Sequence, residues 1–514
     1  MSNKESNTKA GNSVVIIGGG VGGLFTGALL AKHGYSVTIL EKNKNIGGGL
    51  QTFVRNGHEF ETGMHILGGF QKGGNLNKLC SYLGIMDKLD IEYDDDSCID
   101  RITYLHDGRE LVIPRGREAF TEYLCKEFPE SAGEIRAYVD LIYNITDEVD
   151  YFHMREETEF YTNRSENFFK PIDEVISGVI GNEDLRNILA FINPMYGGVK
   201  GRTPTYIHAI ISVLYIEGQS KFRGGSRQLT EALVGVIEAN GGTVKGGEKV
   251  TRVHLSGAKE ITNVVTETGN TYTAEVFISS IHPARLLAKM PASAFPKAYS
   301  HRVESIPNSN SAFQAFFILK ENTFKYQKGA HFVIDDYADI WKQLEPNDDQ
   351  WPRAMLLFTP SDKERAGGEY CRKLVVNCAM SFDEVLAWQD SKTGHRPQEY
   401  KEWKESRLAK IVNKLKQIYP DIEECIEEVY TSSPLTIRDY YDIPNGALYG
   451  FSKNASNILL SQLTVYTRIK NLLLTGQCVN LHGICGVPLT AIMTAEALVG
   501  RNSIIREINA FNNN

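Results

Sequence analysis

Val14-Val15-Ile16-Ile17-Gly18-Gly19-Gly20-Val21-Gly22-Gly23 is the stretch that decides the fold. Four consecutive β-branched residues mark a strand buried on both faces of a parallel sheet. The strand runs directly into G-x-G-x-x-G at Gly18, Gly20 and Gly23. Gly18 allows the tight turn, Gly20 carries no side chain to block a pyrophosphate, and Gly23 lets the following helix pack closely on the strand. That helix is expected over Leu24 to His33, with Val21 and Gly22 in the turn before it, and its N-terminal amides and dipole favour phosphate charge. A second strand is expected at Ser36 to Leu40. It ends at Glu41, 18 residues after Gly23, followed by Lys42. A carboxylate at that point accepts hydrogen bonds from both ribose hydroxyls and disfavours a 2'-phosphate, which suits FAD or NAD better than NADP.

Beyond Glu41 comes Ile46-Gly47-Gly48-Gly49-Leu50-Gln51-Thr52-Phe53, glycine-rich enough for the backbone to approach something lying across the sheet. A short NAD-only domain has no use for such a segment, whereas an extended FAD does. With its E-x5-G-G spacing at Glu41, Gly47 and Gly48, the chain resembles the FAD-dependent amine oxidase and phytoene desaturase superfamily. The resemblance implies FAD, contacted at Gly48, Gly49 and Leu50.

Within that superfamily the sequence is most similar to the phytoene desaturase, carotenoid isomerase and all-trans-retinol 13,14-reductase (retinol saturase) branch. Thr52-Phe53 is followed by Glu61-Thr62-Gly63-Met64-His65, which resembles the branch's D/E-T-G-x-H, and glycine stands at 49 where many amine oxidases place arginine. Phe222-Arg223-Gly224-Gly225-Ser226 resembles its R-G-G segment. Lys249-Val250-Thr251-Arg252-Val253 resembles the later strand whose backbone meets the adenine, which adds Val250 to the cofactor set. Thr475-Gly476-Gln477 and Gly486-Val487-Pro488-Leu489-Thr490 resemble the closing motif, a turn and the start of a helix facing the flavin. Gln477 stands where most relatives have aspartate, and Cys478 departs from the T-G-Q-D form.

The resemblance carries Gly18, Gly20, Val21, Gly22, Gly23, Glu41, Lys42, Gly48, Gly49, Leu50, Thr62, Gly63, Met64, His65, Val250, Gly476, Gln477, Gly486, Val487 and Leu489 as cofactor contacts. His65 is the first candidate for a side chain near the flavin, since its segment runs back toward the isoalloxazine; a backbone contact alone is the other reading. His482, before the closing helix, is the second candidate. A flavin carries the redox chemistry, so no catalytic triad is needed and none is present. The implied function is an FAD-dependent oxidoreductase acting on CH–CH or C=C bonds of an isoprenoid polyene, by reduction, desaturation or isomerisation. The alternatives are a flavin amine oxidase and a prenyl-lipid-binding protein without flavin, which the intact glycines and Glu41 oppose.

The expected fold is α/β: a Rossmann-like FAD-binding domain, a parallel sheet with helices, plus an α+β substrate domain, both discontinuous. Residues 12–115, 220–300 and 465–505 form the first, and 116–219 and 301–464 the second, a lid over the flavin. Within the lid, Tyr206 to Leu214 reads as a core helix in preference to a membrane-dipping surface. Ala312 to Leu319 and Leu374 to Met380 read as strands, and Lys401 to Tyr419 as an amphipathic helix.

Composition narrows the class further. The 514 residues carry a net charge of -8, which on average repels phosphate backbones and argues against a nucleic-acid partner. The eight cysteines are scattered without C-x-x-C, and the histidines lack chelating i,i+3 or i,i+4 pairs, so no metal site is expected. Free thiols fit a reducing cytoplasm. Ser13 to Ala31 and Asn471 to Ala495 carry no Asp, Glu, Lys or Arg, but glycines, Pro488 and His482 interrupt them, and the first dozen residues lack an apolar core. The expectation is therefore a cytoplasmic protein without a membrane span, with peripheral membrane contact left open and a hydrophobic small molecule as substrate.

Overall fold

The strand Ser13–Ile17 lies at the centre of a five-stranded sheet. Its neighbours are Ser36–Leu40 on one side and Val276–Ser279 on the other, with Thr243–Lys245 and Leu472–Leu474 at the edges, and every pairing is parallel. Val14 to Ile17 are all buried, as a β-branched run in such a sheet requires. Each of these side chains contributes roughly 1.5–3 kcal/mol of hydrophobic stabilisation. The computed structural model describes residues 12–63, 65–156, 164–257, 259–345, 348–362 and 368–513.

The first helix spans Val21–Lys32, three residues earlier than expected. Gly22 and Gly23 thus lie inside a helix, where glycine is ordinarily unfavourable. Packing explains them: a Cβ at Gly23 would fall 2.0 Å from the Gly18 carbonyl oxygen, and one at Gly22 would fall 3.0 Å from the Gly476 Cα. The same helix is tied to the far end of the chain by the Thr26–Thr475 hydroxyl pair at 3.1 Å. The closing helix, Gly483–Val499, also starts three residues earlier than expected, so Gly486, Val487 and Leu489 lie within it.

A second sheet faces the first. Its seven strands run in the order Ile426–Ser432, Ser311–Leu319, Lys373–Met380, Ala354–Phe358, Ala330–Ile334, Asp100–Tyr104, Glu110–Ile113. The expected division at residue 115 does not follow the sheets, because Asp100–Tyr104 pairs in parallel with Ala330–Ile334 and carries Glu110–Ile113 with it. Local sequence gives no hint of this, since the partner strand is more than two hundred residues away. The helix Thr205–Gly218 is buried along nearly its whole length, in keeping with a core helix. The amphipathic helix spans Gln398–Ile418 and buries Tyr400, Ile411 and Leu415.

A hairpin joins the two halves. Thr52–Arg55 pairs with His58–Glu61 across Asn56-Gly57, whose φ angles of 44° and 79° are those of the Asn-Gly turn that matches strand twist. Phe53 and Phe60 from this hairpin meet Phe316 of the seven-stranded sheet at ring-centroid distances of 5.1 and 5.6 Å. Lys373 donates to the Glu59 carbonyl at 2.6 Å. The hairpin therefore fixes the spacing between the sheets, and its exit returns Gly63 and His65 to the space between them.

Among the described residues, no single helix is long and apolar enough to cross a membrane. The helices Gly483–Val499 and Ser503–Asn512 meet that criterion only as a pair bent by 117°.

Candidate functional site

One cavity of about 370 Å³ runs between the two sheets, within the ~300–1,000 Å³ typical of small-molecule sites. Its first part is built at the C-terminal ends of the parallel strands. There Gly18, Gly20, Val21 and Gly22 meet Glu41, Lys42, Gly48 and Gly49, with Val250 from one side and Gly476 from the other. Three separated chain segments thus converge where ligands lie in open parallel sheets.

The glycines here divide into two kinds. Gly48 at φ 56° has its Cα side against Gly20, where an added Cβ would sit 3.0 Å from the Gly20 Cα, so the protein itself demands glycine. Gly20 is different: an added Cβ would meet no protein atom nearer than 3.8 Å, and one at Gly49 would meet none within 4 Å. Glycine at those two positions preserves open space within the cavity wall. The first helix has no side-chain cap at Gly20, so its first-turn amides and positive dipole end face that space. These features fit an elongated ligand with a phosphate-bearing middle.

Glu41 is organised from both sides. One carboxylate oxygen accepts from the Gly19 N–H at 2.8 Å and the other from the Asn43 N–H at 2.9 Å. Burial pushes its pKa above the ordinary carboxylate value, and these backbone donors and the Lys42 charge pull against that shift. Lys42 directs its ammonium to the Asp439 carbonyl at 3.2 Å, and burial lowers its pKa. Lys249 and Lys289 also line this end, although neither belongs to the cofactor set expected from the sequence. Lys249 adjoins Val250 and was within reach of it; Lys289 follows a short helix with no recognisable signal.

The cavity continues past Gly63 and His65 into a chamber walled by the seven-stranded sheet. His65 stacks on Phe358 with centroids 4.3 Å apart and planes at 30°. Its side chain is 6% exposed, its Nδ1 lies 3.7 Å from Glu61, and neither ring nitrogen has a hydrogen-bond partner among the described residues. A buried imidazole without a partner on a cavity wall is available to a ligand. His482 is placed differently. It is off the wall, its ring lies 5.1 Å from that of the wall residue Tyr449, and burial pushes its pKa down to about 3, which keeps it neutral.

Gln477 and Val487 line the cavity, but the Gln477 carboxamide is turned to the chain: with its oxygen and nitrogen assigned to satisfy both neighbours, it donates to the Leu448 carbonyl and accepts from the Gly450 N–H, each at 3.2 Å. Gly23, Leu50, Thr62, Gly486 and Leu489 do not line it. Thr62 is bonded to the Gln51 carbonyl at 2.9 Å, Gly486 is packed against Leu481, and Leu50 and Leu489 are core residues. They hold up the wall from behind. Met64 lies outside the described residues. The N-terminal residues of the closing helix, Gly483 and Ile484, do reach the cavity, so a second positive helix end opens on it.

A glycine-lined cleft at the ends of a parallel sheet, opening into a sheet-walled chamber, fits a flavin oxidoreductase, and comparison with known proteins agrees. Residues 21–498 match the family of flavin containing amine oxidoreductases, and the chain belongs to that family. It is an enzyme fold that uses a flavin. The chain is 25% identical over 530 residues to the all-trans-retinol 13,14-reductase of Danio rerio, covering 95% of this chain and 86% of that one. It is 22% identical to the chloroplastic prolycopene isomerase 2 of an Oncidium hybrid cultivar, covering 94% and 82%. Among solved structures, an oxidoreductase from Methanosarcina mazei superposes with a TM-score of 0.66 at 16% identity, over 94% of this chain and all of that one.

Proposed function

We propose that this protein is an FAD-dependent oxidoreductase acting on carbon–carbon single or double bonds of a hydrophobic, isoprenoid polyene. The observation that carries the reading is the continuity of one cavity from the glycine cradle, past His65, into a chamber with a largely apolar wall. Relatives named for the reduction of retinol and the isomerisation of prolycopene support the same substrate class.

FAD is favoured over a mononucleotide because Glu41, suited to a ribose, follows Ser36–Leu40, whereas Gly476 follows Leu472–Leu474, three strands away in the sheet, and both line one cavity with the Gly483 helix end. Gly20, Val21 and Gly22 would hold the pyrophosphate through backbone N–H groups. A flavin, when bound, supplies the two-electron exchange with carbon. The protein's tasks are then to place the substrate carbon, exclude water and handle one proton. Both His65 and His482 have ring nitrogens without a hydrogen-bond partner among the described residues, but His65 lines the cavity and His482 does not, and we assign the proton to His65. In a reduction, the His65 N–H would protonate the carbon next to the one that gains hydride; in a desaturation the proton would move the other way.

The reading treats the seven-stranded sheet, with the helices of 116–219 and the segment 301–464, as the substrate-covering part. Polyenes partition into lipid, so peripheral contact with a membrane from the cytoplasmic side belongs to the same proposal.

The test is anaerobic. Purified enzyme with chemically reduced flavin is given all-trans-retinol, a carotenoid and a panel of amines, and products are resolved by chromatography and mass. A polyene product differing by two hydrogens, or an isomer of unchanged mass, is expected, with no amine product. Turnover of amines alone, with peroxide formed in air, would replace this reading with an amine oxidase.

A further inference from the structure

We propose that the carboxamide pair Gln314–Asn377 determines specificity in the chamber by receiving a neutral hydroxyl group of the substrate, an inference that rests on the polyene reading above. Gln314 of Ser311–Leu319 stands directly opposite Asn377 of Lys373–Met380 in the antiparallel register. Gln314 Nε2 donates to Asn377 Oδ1 at 2.9 Å, and both residues line the cavity. No other hydrogen bond of either side chain occurs among the described residues.

The inventory of groups left over does not depend on which amide donates. Two carboxamides own two carbonyls and two amino groups. Their mutual bond engages one of each, so one carbonyl and one amino group remain without a protein partner at the cavity wall. Exchanging oxygen and nitrogen in both residues again leaves one carbonyl and one amino group free, with the two residues' roles reversed. A hydroxyl both donates and accepts, and so answers both. An ether or a carbonyl answers only the amino group, and an unsubstituted hydrocarbon answers neither, leaving polar groups stranded against it.

The surroundings of the pair exclude charge. Among the described residues the charged side chains lining the cavity, apart from the histidines His65 and His282, are Glu41, Lys42, Lys249, Lys289 and Asp442. The first four belong to the dinucleotide end, and Asp442 is ion-paired to Arg285 at 3.0 Å. Beside the amides the wall is apolar: Leu356 is the strand neighbour of Asn377, and Ala312 pairs with Ala379 one step along. A carboxylate or ammonium held there would have no counter-charge. The small alanine row leaves width for a flat chain. Phe358, on which His65 stacks, lies two residues along from Leu356, about 7 Å by strand geometry. The hydroxyl and the candidate proton carrier thus share one face of the sheet.

Equilibrium binding to the flavin-loaded protein, read by quenching of its tryptophan fluorescence, tests this with all-trans-retinol and its O-methyl ether. The alcohol is expected to bind at least about tenfold more tightly than the ether. In Gln314→Met/Asn377→Leu the alcohol should weaken to the level of the ether, while the ether stays within about twofold. The wild-type ratio needs no folded variant, so the proposal stays testable if the double substitution fails to fold. Equal binding of alcohol and ether by the wild type overturns the amide pair while leaving the polyene reading standing. A preference that survives the double substitution also overturns it. Binding of neither probe overturns both.

Discussion

Gly20→Val is expected to strip the protein of flavin while leaving the polypeptide folded. The backbone at Gly20 has φ -82° and ψ -176°, extended values that valine adopts readily, and no protein atom stands within 3.8 Å of the added Cβ. The side chain would instead occupy the space between the first helix N-terminus and Gly48, where a pyrophosphate has to meet the backbone amides. Losing two charge-assisted hydrogen bonds at ~1.5–3 kcal/mol each lowers affinity by about a hundredfold or more. The purified variant should therefore show less than about a tenth of the wild-type flavin absorbance, with an apoprotein melting temperature within a few degrees of that of wild-type apoprotein. Gly23→Ala is the informative contrast. Its Cβ would collide with the Gly18 carbonyl at 2.0 Å, a backbone atom that cannot swing aside, so the whole fold should suffer. Full flavin content in Gly20→Val would remove the cradle from the account.

His65→Gln is expected to retain flavin and to lower the rate of product formation by about 10²–10⁴-fold, the usual contribution of a positioned proton carrier. Glutamine keeps a polar side chain of similar reach in the same place, but its amide cannot exchange a proton near neutral pH. His65→Phe, which preserves the stack on Phe358, should be as slow, showing that packing alone is not what is lost. Substrate affinity should change little in either variant. A glutamine variant with wild-type turnover would mean that the ring only fills the wall, and the proton would then have to come from elsewhere in the chamber.

The dinucleotide half was legible because its signals are local. Strand, turn, helix and Glu41 lie within thirty residues. Even there, the pattern places the helix start at Leu24, whereas Gly22 and Gly23 are already helical, their smallness set by Gly476 and Gly18. Gly486 lies within the closing helix, off the cavity wall, where an added Cβ would fall 2.5 Å from the Leu481 Cβ. The chamber was not legible. Gln314, Asn377 and Tyr449 reach the cavity from separate elements, and which face of a strand looks inward depends on register across the sheet. Ser311–Leu319 and Lys373–Met380 read correctly as strands, yet both are buried on both faces for most of their length, so alternation could not identify the wall.

The most direct test of the account is the identity of the cofactor the purified protein carries. Acid denaturation of the isolated wild-type chain should release a flavin, and mass spectrometry of that flavin should give FAD at close to one equivalent per chain. Release of a mononucleotide, or of no flavin from protein that also fails to bind added FAD, would contradict the assignment of the cavity from Glu41 to Gly476 as a dinucleotide site.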